Sequence, residues 1–184
     1  MDFREITEFF RDFMGYIIAF IIIVLIFTFV VAFHPVAGNS MIPTLSEGDV
    51  VLVSKFSHKL FSLKRNEIII LKSSNEKTYI KRIIGLPGEK VDYINGVLYI
   101  NDKGYNEPFL ADDVITNNFL FEDICPIEDC PDGVIPDDMY LVLGDNRMDS
   151  YDSRDSELGL VPISNIVGSV IMRIWPVNKI GLVD

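Results

Sequence analysis

Histidine is nearly absent. His34 and His58 are the only two in 184 residues, and neither stands in an HExxH motif or beside a cysteine cluster. A zinc enzyme of the usual ligand sets would lack ligands, so no metal and no cofactor are expected. Cysteine is as scarce, with Cys125 and Cys130 alone. Glycine (12) and proline (9) are too few, and aromatics at 11% too many, for a collagen-like or disordered chain. No internal repeat marks a solenoid. Basic residues are in deficit, 16 Lys and Arg against 27 Asp and Glu, and a net charge of −11 argues against a nucleic-acid partner.

What is abundant is apolar: 49% of the residues, enough for one folded domain and something greasier besides. The charges are unevenly spread. Residues 55–90 carry nine Lys and Arg against three acids, and residues 102–157 carry three against sixteen. Two solvated faces account for this split, and a basic ridge near anionic lipid headgroups is the alternative.

Residues 16–33 read YIIAFIIIVLIFTFVVAF, eighteen in a row without a charge. As a helix they would cover about 27 Å of hydrocarbon, so a transmembrane helix is expected over 16–33. A cleaved signal peptide competes, with Val30 and Ala32 as small residues. Against it stand the length of the apolar run and the four acids upstream, Asp2, Glu5, Glu8 and Asp12. Arg4 and Arg11 precede the run and no Lys or Arg follows until Lys55. Residues 1–15 are therefore expected in the cytoplasm and residues 34–184 outside it. Cys125 and Cys130, in an acidic loop, suit that placement as a local disulfide, with two free thiols as the alternative.

After the span the chain reads as mainly β. Runs rich in Val, Ile and aromatics recur at 49–55, 67–72, 78–84, 97–101, 139–143 and 166–175, separated by Gly, Pro, Asn or Asp. Asn95-Gly96 marks a tight hairpin. Residues 104–136 are polar, acidic and weakly patterned, and are expected as a variable cap or surface excursion.

Three segments carry chemistry. Ser40 lies in GNSMIPTLSEGD, where a serine commonly does no more than form the turn. As a nucleophile it would need a base. His34 is six residues away, at the edge of the apolar run. Lys81, in TYIKRIIGLPGEK, fits better, because strand alternation sets it on one face with Tyr79 and Ile83. An ammonium among such neighbours is desolvated, and its pKa falls towards neutrality. The plain alternative is a surface lysine on an edge strand. The third segment, LGDNRMDSYDSR at 143–154, could be an elaborate turn or a calcium loop, although its two arginines disfavour a cation.

Taken together, GNSMIPTL, GDVVLVSK, YIKRIIGLPGEKV and GDNRMDSYDSR, in that order after one N-terminal span, resemble the bacterial type I signal peptidases. The resemblance runs from the span to Trp175 and is weakest over 104–136. It implies an antiparallel β-sheet catalytic domain, with Ser40 as nucleophile and Lys81 as general base of a Ser/Lys dyad. It also implies Ser150 as the serine that orients the lysine, and Arg82, Asp145, Asp152 and Arg154 as ion-paired supports. Val36, Met41, Leu45, Tyr79 and Ile80 would line shallow pockets for small residues at −1 and −3 of a cleavage site. The implied partners are preprotein signal peptides, membrane lipids and the protein-export translocon. One departure stands out: Gly38 occupies a position where some members carry a serine that helps hold the oxyanion, and glycine there is common among short single-span members. A non-cutting module of the same fold, or a self-cleaving Ser/Lys protease of the SOS-repressor type, are the competing classes. Retention of both Ser40 and Lys81 weighs against the first, and the span and the lack of a DNA-binding segment against the second.

Overall fold

The computed structural model describes residues 3–56, 62–73, 76–111 and 114–183. Asp2, His58 and Lys59, and Asp112 and Asp113 of the acidic excursion, lie outside the described residues, as do the side chains of Arg4, Glu5, Glu8 and Asp12.

Helix α1 spans Phe3–Leu25, continues as one π-helical turn over Ile26–Val30, and passes without a loop into strand β1, Val31–Pro35. The expectation of a single helix over 16–33 is thereby corrected at its C-terminal end, and the helix also begins upstream, where Phe9, Phe10, Phe13 and Met14 extend the apolar run. Helix starts within the charged N-terminus, and Val31, Ala32 and Phe33 are strand, opposite Ser54, Val53 and Leu52. An unbroken apolar run cannot tell a helix from a buried strand. Here the free edge of the neighbouring strand decides. Within the helix and its π turn, Phe13–Val30 is an 18-residue stretch of mean hydropathy 2.9 with none of it buried, long and apolar enough to cross a membrane. The junction is hydrogen-bonded. Thr28 Oγ1 donates to Val24 O at 2.7 Å, Lys55 Nζ to Thr28 O at 2.9 Å, and Lys55 N–H to Val30 O at 2.9 Å, so two carbonyls left over at the helix end find their donors on Lys55, just past the end of the strand Val50–Ser54.

The other strands are β2 (Val50–Ser54), β3 (Ile68–Lys72), β4 (Thr78–Gly85), β5 (Val91–Ile94), β6 (Val97–Ile100), β7 (Lys103–Tyr105), β8 (Met139–Leu143), β9 (Val161–Pro162), β10 (Ile166–Trp175) and β11 (Gly181–Leu182). The larger sheet runs β1-β2-β10-β3-β4-β8-β9 with β11 against β10, and β5-β6-β7 form a smaller one. Every pairing is antiparallel. All six runs read from sequence lie on strands. The short β7, β9 and β11 have too few residues to show a period. At the β5–β6 turn Asn95 and Gly96 have φ of 53° and 80°, the left-handed pair that a two-residue hairpin requires.

The excursion is less superficial than its composition suggests. Its one described helix, α2, is the single turn Phe121–Ile124. Yet Phe119, Phe121, Cys125, Cys130 and Ile135 are buried against Tyr93 and Leu98 of the small sheet and Leu141 and Leu143 of β8. The two cysteines are joined, with Cα atoms 5.8 Å apart. A few apolar residues set among acids supply a core without any period to reveal it.

Gly168 sits where β10 slips register against β3. A Cβ there would lie 2.3 Å from Ser54 O and 2.8 Å from Val53 Cγ1. Ser54 O is backbone and cannot turn aside, so Gly168→Ala should cost about 2 kcal/mol, in the range for overpacking. Urea unfolding of the detergent-solubilised chain should show a lowered midpoint, and an unchanged midpoint would refute the argument.

Candidate active site

Ser40 is held from two sides. Val36 closes the end of β1, its N–H donating to Asp49 O at 2.8 Å and its carbonyl accepting from Gly48 N at 3.0 Å. Gly38 then turns the chain at φ 79°, where a side chain would be strained. The turn closes through Ile42 N to Asn39 O at 3.1 Å. From the opposite side, Asn146 donates its N–H to Ser40 O at 3.0 Å and its Nδ2 to Asn39 O at 3.2 Å. The Ser40 N–H itself donates to nothing among the described residues.

Lys81 lies in β4, flanked by β3 and β8, and is 1% exposed. Its Nζ is 2.6 Å from Ser40 Oγ and 5.9 Å from the centre of the Tyr79 ring. Burial lowers its pKa from 10.5 to about 8, with Arg154 pushing the same way and Asp152, Asp145 and Asp149 opposing. The amine is therefore available as a base near neutral pH.

Two ion pairs frame Ser40 and Lys81. Arg82, the next residue along β4, grips Asp145 at both oxygens, Nε to Oδ1 at 2.9 Å and NH2 to Oδ2 at 2.8 Å, with both side chains wholly buried. Its NH1 donates to Asn66 O at 2.8 Å, and Phe109 of the excursion covers the guanidinium at 4.0 Å. Arg154 grips Asp152 in the same way, at 2.8 and 2.7 Å. Burial pushes the Asp152 carboxyl up, but Arg154 and the Gly144 N–H, 3.0 Å away, outweigh it and hold the group below its ordinary value. Ser150 Oγ is sealed from water and forms no hydrogen bond, to Lys81 or elsewhere. It approaches the Asp152 carboxylate closely enough to favour its charge without meeting hydrogen-bond geometry. Gly144 has no room for a side chain, since a Cβ would come within 2.2 Å of Ser150 Oγ and 2.5 Å of Ser40 O.

Other supports were not singled out from the sequence. Thr44, four residues past Ser40, donates to Asp145 Oδ2 at 2.5 Å. Arg147 is buried, bound to Glu107 at 2.5 Å, Thr116 Oγ1 at 3.0 Å and Gly144 O at 3.1 Å. It fastens the excursion to the loop that clamps Ser40. The arginine stands in the GDNR run, but its side-chain partners Thr116 and Glu107 lie 31 and 40 residues away, beyond what spacing reveals.

Beside Ser40 opens a small cleft of about 50 Å3 lined by residues 34–38, 40, 41 and 78–80. Val36, Met41, Tyr79 and Ile80 line it. Leu45 does not: at 0% exposure it packs beneath, with Val36 and Met41. His34 lines the cleft too, with Nδ1 2.9 Å from Pro35 O.

The family model described as signal peptidase, peptidase S26, matches residues 9–175. Signal peptidase IB of Staphylococcus aureus is 38% identical over 169 residues, covering 88% of this chain and 87% of its own. Signal peptidase I of Bacillus caldolyticus is 38% identical over 158 residues, covering 82% and 83%. The crystal structure of a signal peptidase I from Enterococcus faecalis V583 superposes with a TM-score of 0.51 at 34% identity, covering 59% of this chain and 96% of that one.

The buried lysine carries a stability cost that pH should expose. Because its folded pKa lies below 10.5, the unfolded chain binds more protons between about pH 8 and 10.5, and stability should rise with pH across that window. Below pH 8 the folded domain bears the whole cost, on the order of 3 kcal/mol. Lys81→Met should therefore be more stable than the parent at pH 7 and lose the advantage by pH 10.5. Paired denaturant titrations at the two pH values check this, and a variant less stable than the parent at pH 7 would contradict it.

Proposed function

The chain belongs to the signal peptidases of peptidase S26, and we propose that it is a membrane-anchored endopeptidase that removes signal peptides from exported preproteins through a Ser40/Lys81 dyad. The observation that carries the reading is the 2.6 Å contact between Ser40 Oγ and an amine buried deeply enough to lose its proton near pH 8. Neutral Lys81 accepts the Ser40 proton as Oγ attacks the scissile carbonyl. The Ser40 N–H, which donates to nothing else among the described residues, is the donor left for the developing oxyanion. Lys81 returns the proton to the departing amine, and the same lysine then draws a proton from the water that releases the acyl group. Arg82, Asp145, Asp152 and Arg154 hold the strand and loop that present the dyad. Ser150, whose buried hydroxyl has no hydrogen-bond partner, is the residue proposed to orient the amine.

Specificity follows from the cleft. Walls of Val36, Met41, Tyr79 and Ile80 around about 50 Å3, with His34 at the cleft as well, leave room for a methyl-sized group and hold no carboxylate, lysine or arginine, which suits small residues at −1 and −3. An extended segment can lie between residues 34–38 and the start of β4 and use main-chain hydrogen bonds for affinity.

The helix supplies the setting. Phe13–Val30 is long and apolar enough to span, and Arg4 and Arg11 before it favour a cytoplasmic N-terminus, with the β domain and its Cys125–Cys130 bridge on the oxidising side. Nine residues, five of them strand β1, separate Val30 from Ser40, so the nucleophile stands within about 35 Å of the helix end even if they were fully extended, near the surface where a preprotein's apolar helix ends. Lipids there, and the export translocon that delivers preproteins, are the partners this placement implies.

Ser40→Ala and Lys81→Ala should each abolish cleavage of a preprotein while the fold persists, and the losses should not add, because one proton transfer is removed twice. A Lys81→Ala enzyme with more than about a tenth of parental kcat/KM would exclude the dyad, since a positioned base contributes roughly 100-fold or more. With the parent, kcat/KM for an Ala-x-Ala substrate should rise with pH through about 8 and level off above it, because only the neutral amine is a base. A rising limb confined to pH 10 and above would place Lys81 in water instead.

A further inference from the structure

Across the nucleophile turn from the cleft lies a second, larger groove of about 410 Å3. The two hollows share no lining residue and meet at the turn itself, Met41 facing the cleft and Ile42 the groove. The groove's other walls are Pro43, Val114 and Ile115 of the excursion, and Asn146 and Met148 of the loop that clamps Ser40. Three of its large apolar side chains are held out in water, Ile42 at 39%, Ile115 at 70% and Met148 at 67% exposure. The ionic groups at its base are already engaged, Asp145 by Arg82 and Arg147 by Glu107, and the Asn146 amide by Asn39 O. Among the described residues, what remains on offer is an open apolar trough with no spare charge.

We propose that this groove receives the first residues of the mature chain, those just after the scissile bond, and selects for an apolar side chain among them. The inference rests on the peptidase reading above. A chain whose scissile carbonyl lies at Ser40 and whose upstream residues fill the cleft must leave past the nucleophile turn. At about 3.3 Å per extended residue, its second and third downstream positions come to lie over Ile42 and the facing walls. The occupant is fixed by continuity with the catalytic serine: Asn146, one wall of the groove, hydrogen-bonds Ser40 O directly. Apolar groups left in water on both sides of that exit gain by covering one another.

The test uses the full chain in detergent micelles and three peptides with one upstream sequence ending Ala-x-Ala. One stops at +1, one continues to +5 with Leu at +2 and +3, and one continues to +5 with Asp at both. The Leu peptide should be cut with a kcat/KM about fivefold to tenfold above the other two, the gain expected from partly burying such side chains. In Ile115→Lys, and in Met148→Lys on the facing wall, the preference should turn from Leu to Asp, an inversion that loosened packing alone would not produce. Ile127→Asp, changed at an equally open site (64%) on the disulfide loop, should keep the parental preference. Equal rates for the three peptides with the parent enzyme, or a Leu preference that survives both lysine variants, would overturn the proposal. Failure of the parent to cut any of the three in a way that Ser40→Ala abolishes would overturn the peptidase reading itself, and this inference with it.

Discussion

A lysine amine kept out of water is the constraint around which this domain is arranged. Desolvation lowers the pKa of Lys81 only while nearby carboxylates are prevented from restoring it. Asp152 is the strongest opponent, and Arg154 contains it twice over, by holding both its oxygens and by adding a positive charge of its own near the amine. The neighbouring Arg82 would be a second buried cation in adjacent positions of one strand. Asp145, the Asn66 carbonyl and the Phe109 ring neutralise and enclose it. Removing one member of such a pair strands a charge in the interior, which is why these supports come as pairs rather than as single residues.

The same constraint explains why β4 is buried on both faces. It runs between β3 and β8 in the middle of the larger sheet, with Ile80 in one apolar cluster, Ile83 in a second and Ile84 in a third. The loop 144–154 is then laid against Ser40 through Asn146, without space even for a methyl group at Gly144. The acidic excursion completes the enclosure. Its Glu107 and Thr116 hold Arg147, and its Phe109 caps Arg82, so a segment with little secondary structure of its own helps enclose the charged groups around Lys81.

Much of this was legible in the chain. Runs rich in Val, Ile and aromatics mark β2, β3, β4, β6, β8 and β10, and Asn95-Gly96 marks the hairpin, because each signal is local. Ser40 and Lys81 were picked out by chemistry and by resemblance, and they meet across 41 residues of sequence. The strand at Val31–Pro35 was hidden by the apolar run that continues into it. Leu45, expected at the cleft, lies under it, because position in a turn does not say which way a side chain packs. Arg147 and Thr44 were missed for a related reason: their partners are set by the tertiary fold, and nothing within a short window announces them.

The passage from helix to sheet without a linker has a mechanical meaning. A flexible tether would let the catalytic centre wander over a range of heights above the bilayer. Here the last helical carbonyls are bonded to Lys55, and the first strand residue is already paired with β2, so helix and sheet form a stiff post. On the proposed anchoring, the nucleophile stands at one fixed height. The enzyme then works as a depth gauge, and a secretory precursor is measured by where its own helix stops. One extra helical turn, about 5.4 Å, would carry the scissile bond past the reach of a serine that cannot follow it.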